Sequence, residues 1–462
     1  MGNRPNIIFL MTDQQRFDAM GKVNPVVQTP NLDRLAGESV FFTNGYCTNP
    51  SCVPSRAAIM TGKYPSECQV PAFISKLPES ETTFMTRLQR LGYYTAVVGK
   101  QHFAGSTISR GYDYEMIVDG HFAGYSREDL GAYADYLDSH NLTVKQMYER
   151  TLISGGVWKT DAEHHIDYFI GEKGKQWLED RLTSGEDQPF FLCLSFPGPH
   201  HPYDLEGTRY AGMYRLEDMT LPKSTYDDLQ QKGPQYRNMR MYSKIYINDY
   251  SEEQFRRTKR SYYANMTLID EKIGEVLDIL KKYGAYDNTV IIYTSDHGDF
   301  MGDYGLVEKL QCLQDSLMRV PLFVKPAVKD FPGVIVDDLV SNVDIAATCI
   351  DVAGGTVPDE LSDYSYSQYW DNSRPEKKRR YLYMEAGAIR GILCDHIKTV
   401  HYVGRPYGEM YDLTNDSLER VNIWDDPEYA NAKIRNYGLM MDSMYTATPG
   451  HDTPWNYGTP EI

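Results

Sequence analysis

The 462-residue sequence has no long hydrophobic run, and its N-terminus does not resemble a targeting segment. No stretch approaches the roughly 18 uninterrupted apolar residues of a membrane span. The opening MGNRPNIIFLMTD leads directly into a predicted strand, without the apolar core and small-residue cleavage site of a signal peptide. We therefore expect no membrane partner and a cytoplasmic protein, or a periplasmic or secreted one if the chain has been trimmed.

Positive charge is also scarce. The chain has 47 Lys and Arg against 64 Asp and Glu, which gives a formal net charge of −17. Such a chain repels nucleic acid and anionic membranes at long range, so nucleic acid is not an expected partner. An anionic substrate would have to be held by a local cluster of cationic side chains.

Cysteine is too sparse and too scattered for a disulfide framework or a zinc site. There are seven cysteines, an odd number. Cys193 and Cys349 lie in apolar stretches that are typical of buried thiols. Cys52 is different, because it lies between two prolines and close to an arginine, in NPSCVPSRAAIMTGK.

Apolar strand patterns alternate with helical patterns along most of the chain. Apolar runs predict strands at 6–11, 40–43, 94–98, 190–196 and 290–294. Helices are predicted at 29–37, at 82–91, and from a capping box at Ser251 and Gln254 to Gly284. This alternation predicts an α/β fold with a large, mostly parallel sheet sandwiched by helices.

The sequence changes character after Gly354-Gly355. Residues 356–380 are polar and end in RPEKKRR, a charged run typical of a solvated linker. Beyond it, YLYMEA, HIKTVHYV and EMYDLTND predict a small antiparallel sheet, and a final helix is predicted around 426–445. We expect one domain at 1–360 and a smaller C-terminal α+β subdomain at 361–462, in a chain that could form an oligomer.

Chemically capable side chains follow the predicted strands. They are Asp13-Gln14, Lys100-Gln101-His102, His200-His201 and Asp296-His297. In open parallel sheets, ligands bind at the carboxyl ends of the strands. Two carboxylates, an amide oxygen and an imidazole would suit a hard divalent cation such as Ca²⁺ or Mg²⁺. Alternatively, Asp13 and Asp296 cap the helices that follow, and local sequence leaves both readings open.

Cys52 lies at the start of a predicted helix with Pro54 in its first turn. A helix N-terminus stabilises a thiolate or another anion, and Arg56 and Lys63 would lie on the same helix. The alternatives are a small buried cysteine, or a cysteine nucleophile that needs a nearby base such as His102.

The string C-x-P-S-R followed by T-G-K resembles the signature of the type I sulfatases, in the alkaline phosphatase superfamily. The resemblance extends over nearly the whole chain, through PNIIFLMTDQQ, GKQHF, SFPGPHHPY, TSDHGDFMGDYGLVEK and EMYDLTND. It implies that 1–360 is the catalytic domain and that the protein hydrolyses sulfate esters.

The resemblance also implies that Cys52 is modified. In that family a maturase oxidises the cysteine to Cα-formylglycine, and the hydrated aldehyde is the nucleophile. One hydroxyl attacks sulfur, and the second, once deprotonated, expels sulfate, which an ordinary Ser or Cys ester cannot do. The metal is usually Ca²⁺ in the family, with Mg²⁺ or Mn²⁺ as alternatives. The implied ligands are Asp13, Gln14, Cys52, Asp296 and His297.

The other matched positions imply roles towards the substrate. Arg56 would hold the hydrated aldehyde, and Lys100 and Lys309 would bind sulfate oxygens. His102 would accept a proton from the hydrated aldehyde, and His200 or Lys309 would protonate the leaving alcohol. These cations and the metal would explain how an acidic protein holds an anion.

Three departures from the commonest family pattern favour an alternative. Gln14 stands where many members have a second Asp, His297 where many have Asn, and GKQHF replaces GKWHLG. The Asp-Gln and Asp-His pairs also occur in phosphonate monoester hydrolases and phosphodiesterases, which use the same formylglycine. A third hypothesis, an inactive binding homologue, would require the loss of a catalytic residue, and every matched position holds a competent type.

The substrate is predicted only by class, as a sulfated carbohydrate or an aryl or alkyl sulfate. Tyrosine-rich segments within 104–160 and 205–250 would suit stacking on sugar or aryl rings, or would pack internally. Among the remaining histidines, we expect His164 and His165 to be solvated. His201 could reach a substrate hydroxyl or only flank His200, and His121 could line a substrate loop.

Overall fold

The computed structural model of the chain describes residues 4–103, 110–120, 125–232, 250–359, 361, 364–370 and 378–447. The strands of these residues are β1 (Asn6–Asp13), β2 (Val40–Tyr46), β3 (Tyr94–Gly99), β4 (Tyr114–Ile117), β5 (Tyr148–Leu152), β6 (Gly155–Trp158), β7 (Phe190–Pro199), β8 (Tyr203–Glu206), β9 (Thr289–Ser295), β10 (Leu322–Lys325), β11 (Val334–Ser341), β12 (Tyr381–Ala386), β13 (Ile389–Cys394), β14 (Ile397–Tyr402) and β15 (Gly408–Asp412). The α-helices are α1 (Pro30–Gly37), α2 (Cys52–Thr61), α3 (Phe84–Arg90), α4 (Arg127–Leu130), α5 (Ala132–Ser139), α6 (Val144–Met147), α7 (Ile166–Thr183), α8 (Arg209–Gly212), α9 (Glu252–Lys282), α10 (Asp315–Met318), α11 (Ile345–Val352) and α12 (Ala430–Thr446).

An eight-stranded sheet lies at the centre of the molecule, in the order β11-β2-β10-β9-β1-β7-β3-β4. Strand β10 runs antiparallel to both of its neighbours, β2 and β9. The other neighbouring pairs are parallel. The mostly parallel sheet predicted from the alternating pattern is therefore confirmed.

The side chains of β1 alternate between two hydrophobic cores, one on each face of the sheet. Ile8 and Leu10 pack with residues of α1, α7 and α9. Ile7 and Phe9 pack with residues of α2, α3 and α11 on the other face. Both faces are covered by helices, and this explains why the strand is a continuous apolar run instead of an alternating one. The predicted capping box at Ser251 is present at the start of α9.

The C-terminal part forms an antiparallel sheet with the order β12-β13-β14-β15. This confirms the predicted small antiparallel sheet, although the prediction missed β13. Gly391 lies inside β13, and a Cβ atom there would lie 2.6 Å from Leu313 Cδ1, so the glycine allows close packing against Leu313. The division at residue 360 stays a prediction.

A third sheet, β5-β6-β8, is missing from the sequence-based prediction. Its strands have only four or five residues, and β6 begins with Gly155 and Gly156. Such short, glycine-containing strands carry almost no periodic signal. The sheet places Tyr203, at the start of β8, near the end of β1.

Among the described helices, none combines the length and the apolar character that crossing a bilayer demands.

Candidate active site

Four neighbouring strands of the central sheet end at one place. The strands β9, β1, β7 and β3 are adjacent in this order. Parallel strands bring their carboxyl ends to the same edge, and the residues found there are Asp296-His297, Asp13-Gln14, His200 and Lys100.

Cys52 is the first residue of α2 and lies against these strand ends. Its side chain is buried. The Sγ atom lies 3.0 Å from Lys309 Nζ, 3.2 Å from His297 Nε2 and 3.5 Å from Asp13 Oδ1. The thiol therefore lies between a cation and two potential metal ligands.

A divalent cation fits among Asp13, Cys52, Asp296 and His297. One potential ligand atom from each lies within 4.8 Å of all the others, and all four residues are buried. His297 Nδ1 lies 2.8 Å from the carbonyl oxygen of Gly298. A carbonyl only accepts hydrogen bonds, so Nδ1 carries the proton and the Nε2 lone pair is available to a cation. Carboxylate oxygens and a neutral imidazole are suitable donors for such an ion.

The alternative that the two aspartates cap helices is wrong. The next helix after Asp13 begins at Pro30, and the next helical turn after Asp296 begins at Asp303. Asp296 Oδ1 instead accepts hydrogen bonds from the backbone N–H groups of Gln14, at 3.0 Å, and His297, at 2.8 Å.

Arg56 lies one turn along α2 from Cys52 and is completely buried. Its Nε donates to Asp296 Oδ2 at 2.7 Å, and its Nη2 donates to Asp13 Oδ2 at 3.2 Å. Nη1 donates to the carbonyl oxygen of Lys100 at 2.9 Å and to the Ser195 hydroxyl at 3.0 Å. The planar guanidinium therefore joins both carboxylates, a contact geometry that lysine could not reproduce.

Lys100 and Lys309 complete the positive charge around Asp13. Lys100 Nζ lies 2.8 Å from Asp13 Oδ2. Burial alone would raise the pKa of Asp13, but Lys100, His200 and Arg56 hold that pKa well below its usual range. Burial disfavours a charge on Lys309 as well, yet its pKa is raised, by Cys52 when that residue is a thiolate and by the Asp13 carboxylate. Asp13 is therefore a carboxylate and Lys309 an ammonium at neutral pH.

His102 and His200 have different proton-transfer properties. Burial, followed by the charge of Lys100, lowers the pKa of His102 to about 2, so its ring is neutral at neutral pH. Its Nδ1 is buried without a hydrogen-bond partner among the described residues. His200 Nδ1 lies 2.6 Å from the carbonyl oxygen of His201 and must therefore carry a proton. His200 directly follows Pro199, which is paired with Asp13 in the register of β7 and β1.

The chain's own side chains do not activate the thiol of Cys52. Burial, followed by the charge of Asp13, raises its pKa to about 11, although Lys309 and Lys100 oppose the shift. A thiol with such a pKa is protonated at neutral pH, and only the thiolate is a good nucleophile. The alternative of a cysteine nucleophile with His102 as its base is therefore disfavoured.

Several other sequence-based expectations are corrected. Lys63 follows the end of α2 and pairs with Glu81 at 3.0 Å, so it is not part of the site. His165 is buried, not solvated, with Nε2 3.3 Å from Asp204 Oδ1. His164 is half-buried. His121 lies outside the described residues.

The sequence analysis missed two buried residues of the site, Asp299 and Tyr203. Asp299 Oδ2 accepts hydrogen bonds from Gln14 Nε2 and from the Tyr203 hydroxyl, both at 2.5 Å. Asp299 follows the predicted ligands directly in TSDHGD, which was a usable signal. Tyr203 ends the quoted string SFPGPHHPY, in which only the two histidines were singled out.

The tyrosine-rich segments include side chains that pack internally. Tyr133, Tyr210 and Tyr214 are buried within the core. For these three residues internal packing, not stacking on a substrate ring, explains the side chain.

The family is shown by comparison with known proteins. A family model described as Sulfatase matches residues 5–355, which is more than half of the chain. A second, described as N-sulphoglucosamine sulphohydrolase, C-terminal, matches residues 302–440. The chain belongs to the sulfatase family and is a sulfuric ester hydrolase. The resemblance found in the sequence is thereby confirmed.

Two bacterial relatives are similar over most of the chain. A choline-sulfatase of Rhizobium meliloti (strain 1021) is 31% identical over 444 residues, which cover 92% of this chain and 83% of the relative. An arylsulfatase of Clostridium perfringens (strain 13 / Type A) is 30% identical over 454 residues, which cover 92% of this chain and 91% of the relative.

Solved structures of phosphonate monoester hydrolases share the fold. The enzyme of Agrobacterium radiobacter matches with a TM-score of 0.82 at 22% identity, over 96% of both chains. The enzyme of Silicibacter pomeroyi matches with a TM-score of 0.84 at 21% identity, over 97% of this chain and 96% of that one. The similarity shows an alkaline-phosphatase-like fold, and at these identities it shows the fold alone.

Proposed function

We propose that this chain hydrolyses a sulfate monoester with a formylglycine made from Cys52 and one divalent cation, with Ca²⁺ as the first candidate. The observation that carries the proposal is the position of Cys52 Sγ, with Lys309, His297 and Asp13 within 3.5 Å. A protonated thiol at this point would be a poor nucleophile, whereas an oxygen nucleophile would lie beside both the metal ligands and a cation.

Two groups have to be added to the chain for this chemistry. The modified residue would supply the attacking oxygen and a second hydroxyl whose deprotonation releases sulfate, and a bound cation would supply positive charge that stabilises an anionic nucleophile. Asp13, Gln14, Asp296 and His297 would hold the cation. The partner that must act on Cys52 is a formylglycine-generating maturase.

The charges of the chain's own residues favour an anionic substrate. Arg56, Lys100 and Lys309 are three cations, and they face the two carboxylates of Asp13 and Asp296. These three cations outnumber the two carboxylates that they contact, in a chain whose net charge is −17. We assign Lys100 and Lys309 to the sulfate oxygens, where fixed positive charge stabilises the transition state.

Two histidines would move the protons. His200 carries a proton on Nδ1, so as an imidazolium it would hold a second proton on Nε2 for the leaving alcohol. His102 is neutral at neutral pH and could accept the proton that the modified residue releases when sulfate leaves.

For the alcohol part of the substrate we propose only a chemical class. The names of the two relatives refer to choline and aryl sulfates. A third relative, from Bacteroides thetaiotaomicron, is named N-acetylglucosamine-6-O-sulfatase. We keep a sulfated carbohydrate or an aryl or alkyl sulfate as the substrate class.

A phosphonate monoester hydrolase or phosphodiesterase is the second candidate. The specific observation in its favour is the pair of ligand types, Gln14 and His297, in place of the commoner Asp and Asn. An amide at position 14 also leaves the site with one negative charge fewer than a carboxylate would.

A substrate panel separates the two candidates. The modified enzyme, loaded with Ca²⁺, is assayed with sulfate monoesters, phosphonate monoesters and phosphodiesters that share one aryl leaving group. We expect the highest kcat/KM for the sulfate monoester. A higher kcat/KM for either phosphorus ester would overturn the sulfatase proposal in favour of the second candidate.

A further inference from the structure

The amide of Gln14 has a defined orientation in the site. Gln14 is completely buried and has a positive φ of 68°. Its Oε1 accepts a hydrogen bond from Lys309 Nζ at 2.8 Å, and its Nε2 donates to Asp299 Oδ2 at 2.5 Å. The carbonyl end of the amide therefore faces the cationic side of the cluster, and the NH₂ end faces away from it.

Asp299 presents only acceptor atoms to Gln14. It is completely buried, and its Oδ2 also accepts a hydrogen bond from the Tyr203 hydroxyl at 2.5 Å. Its Oδ1 accepts from the backbone N–H of Met301 at 2.6 Å. Three donors therefore hold this carboxylate in place from different directions, and it is not one of the four residues that surround the candidate metal position.

An amide can rotate by half a turn with almost no change in shape, but the two orientations differ chemically. One presents a carbonyl oxygen to the cluster, and this oxygen can bind a cation. The other presents an NH₂ group, which repels both a metal ion and the Lys309 ammonium.

We propose that Asp299, held by Tyr203, is a positioning residue that fixes the amide of Gln14 with its oxygen towards the metal. The inference rests on the proposed function, because it assumes the divalent cation. Partners of this kind behind metal ligands typically change metal affinity by ~10–100-fold when they are mutated.

The first test is the calcium affinity of Asp299→Asn, which has the same shape but can place an NH₂ group against Gln14. The chain is stripped with EDTA and titrated with CaCl₂ in a calorimeter, so the readout does not depend on turnover. We expect Kd to rise by ~10–100-fold in Asp299→Asn and by a smaller factor in Tyr203→Phe. Tyr293→Phe is the matched control, since it removes another buried hydroxyl that donates to Gln15 instead, at 2.6 Å.

The second test exchanges the donor and the acceptor of the hydrogen bond between residues 14 and 299. Gln14→Glu alone brings a carboxylate against Asp299 and should weaken calcium binding. Gln14→Glu combined with Asp299→Asn restores one donor and one acceptor and presents a carboxylate oxygen to the metal. We expect the double variant to bind Ca²⁺ at least as tightly as the unmutated chain, a non-additive result that general loss of packing would not produce.

The outcomes are distinct. An unchanged Kd in both Asp299→Asn and Tyr203→Phe, or a double variant that is no better than Asp299→Asn, would overturn the positioning role and leave the proposed function intact. If Asp299→Asn does not fold, Tyr203→Phe and the double variant decide the question. An unmutated chain that binds none of Ca²⁺, Mg²⁺ and Mn²⁺ would overturn the proposed metal and this inference together.

Discussion

At the scale of single residues, Cys52 and Arg56 lie one turn apart on α2 and are both buried. Their side chains differ in how much of the surrounding structure they hold together. Arg56 makes four polar contacts that join two strand ends and the Lys100 backbone. The Cys52 thiol lies beside charged groups without neutralising any of them. Substitution of Cys52 should therefore affect chemistry much more than folding.

Cys52→Ala should lower kcat by roughly 10³-fold or more, because it removes the residue that we propose as the precursor of the nucleophile. The melting temperature should stay close to that of the unmutated chain. The measurement pairs steady-state kinetics on an aryl sulfate with differential scanning calorimetry.

Cys68→Ala is the control for this substitution. Cys68 is equally buried, and its Sγ lies 3.7 Å from the carbonyl oxygen of Pro65. The Cys68→Ala variant should keep the turnover of the unmutated chain, and its melting temperature should fall slightly. Substantial turnover in Cys52→Ala would contradict the role assigned to Cys52.

At the scale of secondary structure, the C-terminal sheet is joined to α10 by a buried charge cluster. Lys398, on β14, has a completely buried side chain. Its Nζ lies 2.9 Å from Asp315 Oδ1 and 2.7 Å from Glu419 Oε1, and it donates to the carbonyl oxygen of Leu313 at 3.0 Å. Asp315 begins α10, so one ammonium connects the antiparallel sheet with this helix.

Lys398→Met should destabilise the chain by about 3–5 kcal/mol, because the two carboxylates lose their buried cation. Urea unfolding followed by tryptophan fluorescence measures the loss. Lys282→Met is the control, since Lys282 pairs with Glu179 at the surface, at 2.7 Å, and exposed pairs contribute little to stability. Equal losses in the two variants would show that Lys398 is not a buried connection.

The elements that could be predicted from the sequence are those with a strong periodic signal. The apolar runs of β1, β3, β7 and β9 predicted four central strands. The rule that ligands bind at the carboxyl ends of parallel strands then predicted that Asp13, Lys100, His200 and Asp296 lie close together. No such signal existed for β13, which has Gly391 at its centre, or for the short strands β5, β6 and β8.

The remaining parts of the site depend on contacts between distant residues. His165 lies in a polar stretch of sequence, and only the fold reveals Asp204 beside it. Asp299 follows the predicted ligands in TSDHGD, but its contact with Gln14 joins positions 285 residues apart in the sequence. The antiparallel direction of β10 is likewise a property of the whole sheet.

At the scale of the whole molecule, metal binding should add to stability without being required for folding. Asp13 and Asp296 are already paired with Arg56, and Asp13 also with Lys100, so removing a cation does not leave either carboxylate unpaired. A ligand that binds only the folded chain raises its stability by mass action.

EDTA should therefore lower the melting temperature by a few degrees, and excess Ca²⁺ should restore it. Scanning calorimetry of one preparation, before chelation, after chelation and after calcium is added back, measures both steps. Complete unfolding in EDTA at room temperature would contradict the pairing described for the two carboxylates, and a melting temperature insensitive to every divalent cation would contradict the metal.

The central claim is that Cys52 functions as formylglycine. The most direct measurement is mass spectrometry of the peptide that contains Cys52, from the same preparation in which sulfate ester turnover is measured. We predict that a turnover-competent preparation shows the mass loss of thiol-to-aldehyde conversion, and that the converted fraction scales with kcat across preparations made with and without a maturase. Full turnover from a chain in which Cys52 remains an unmodified thiol would contradict the account.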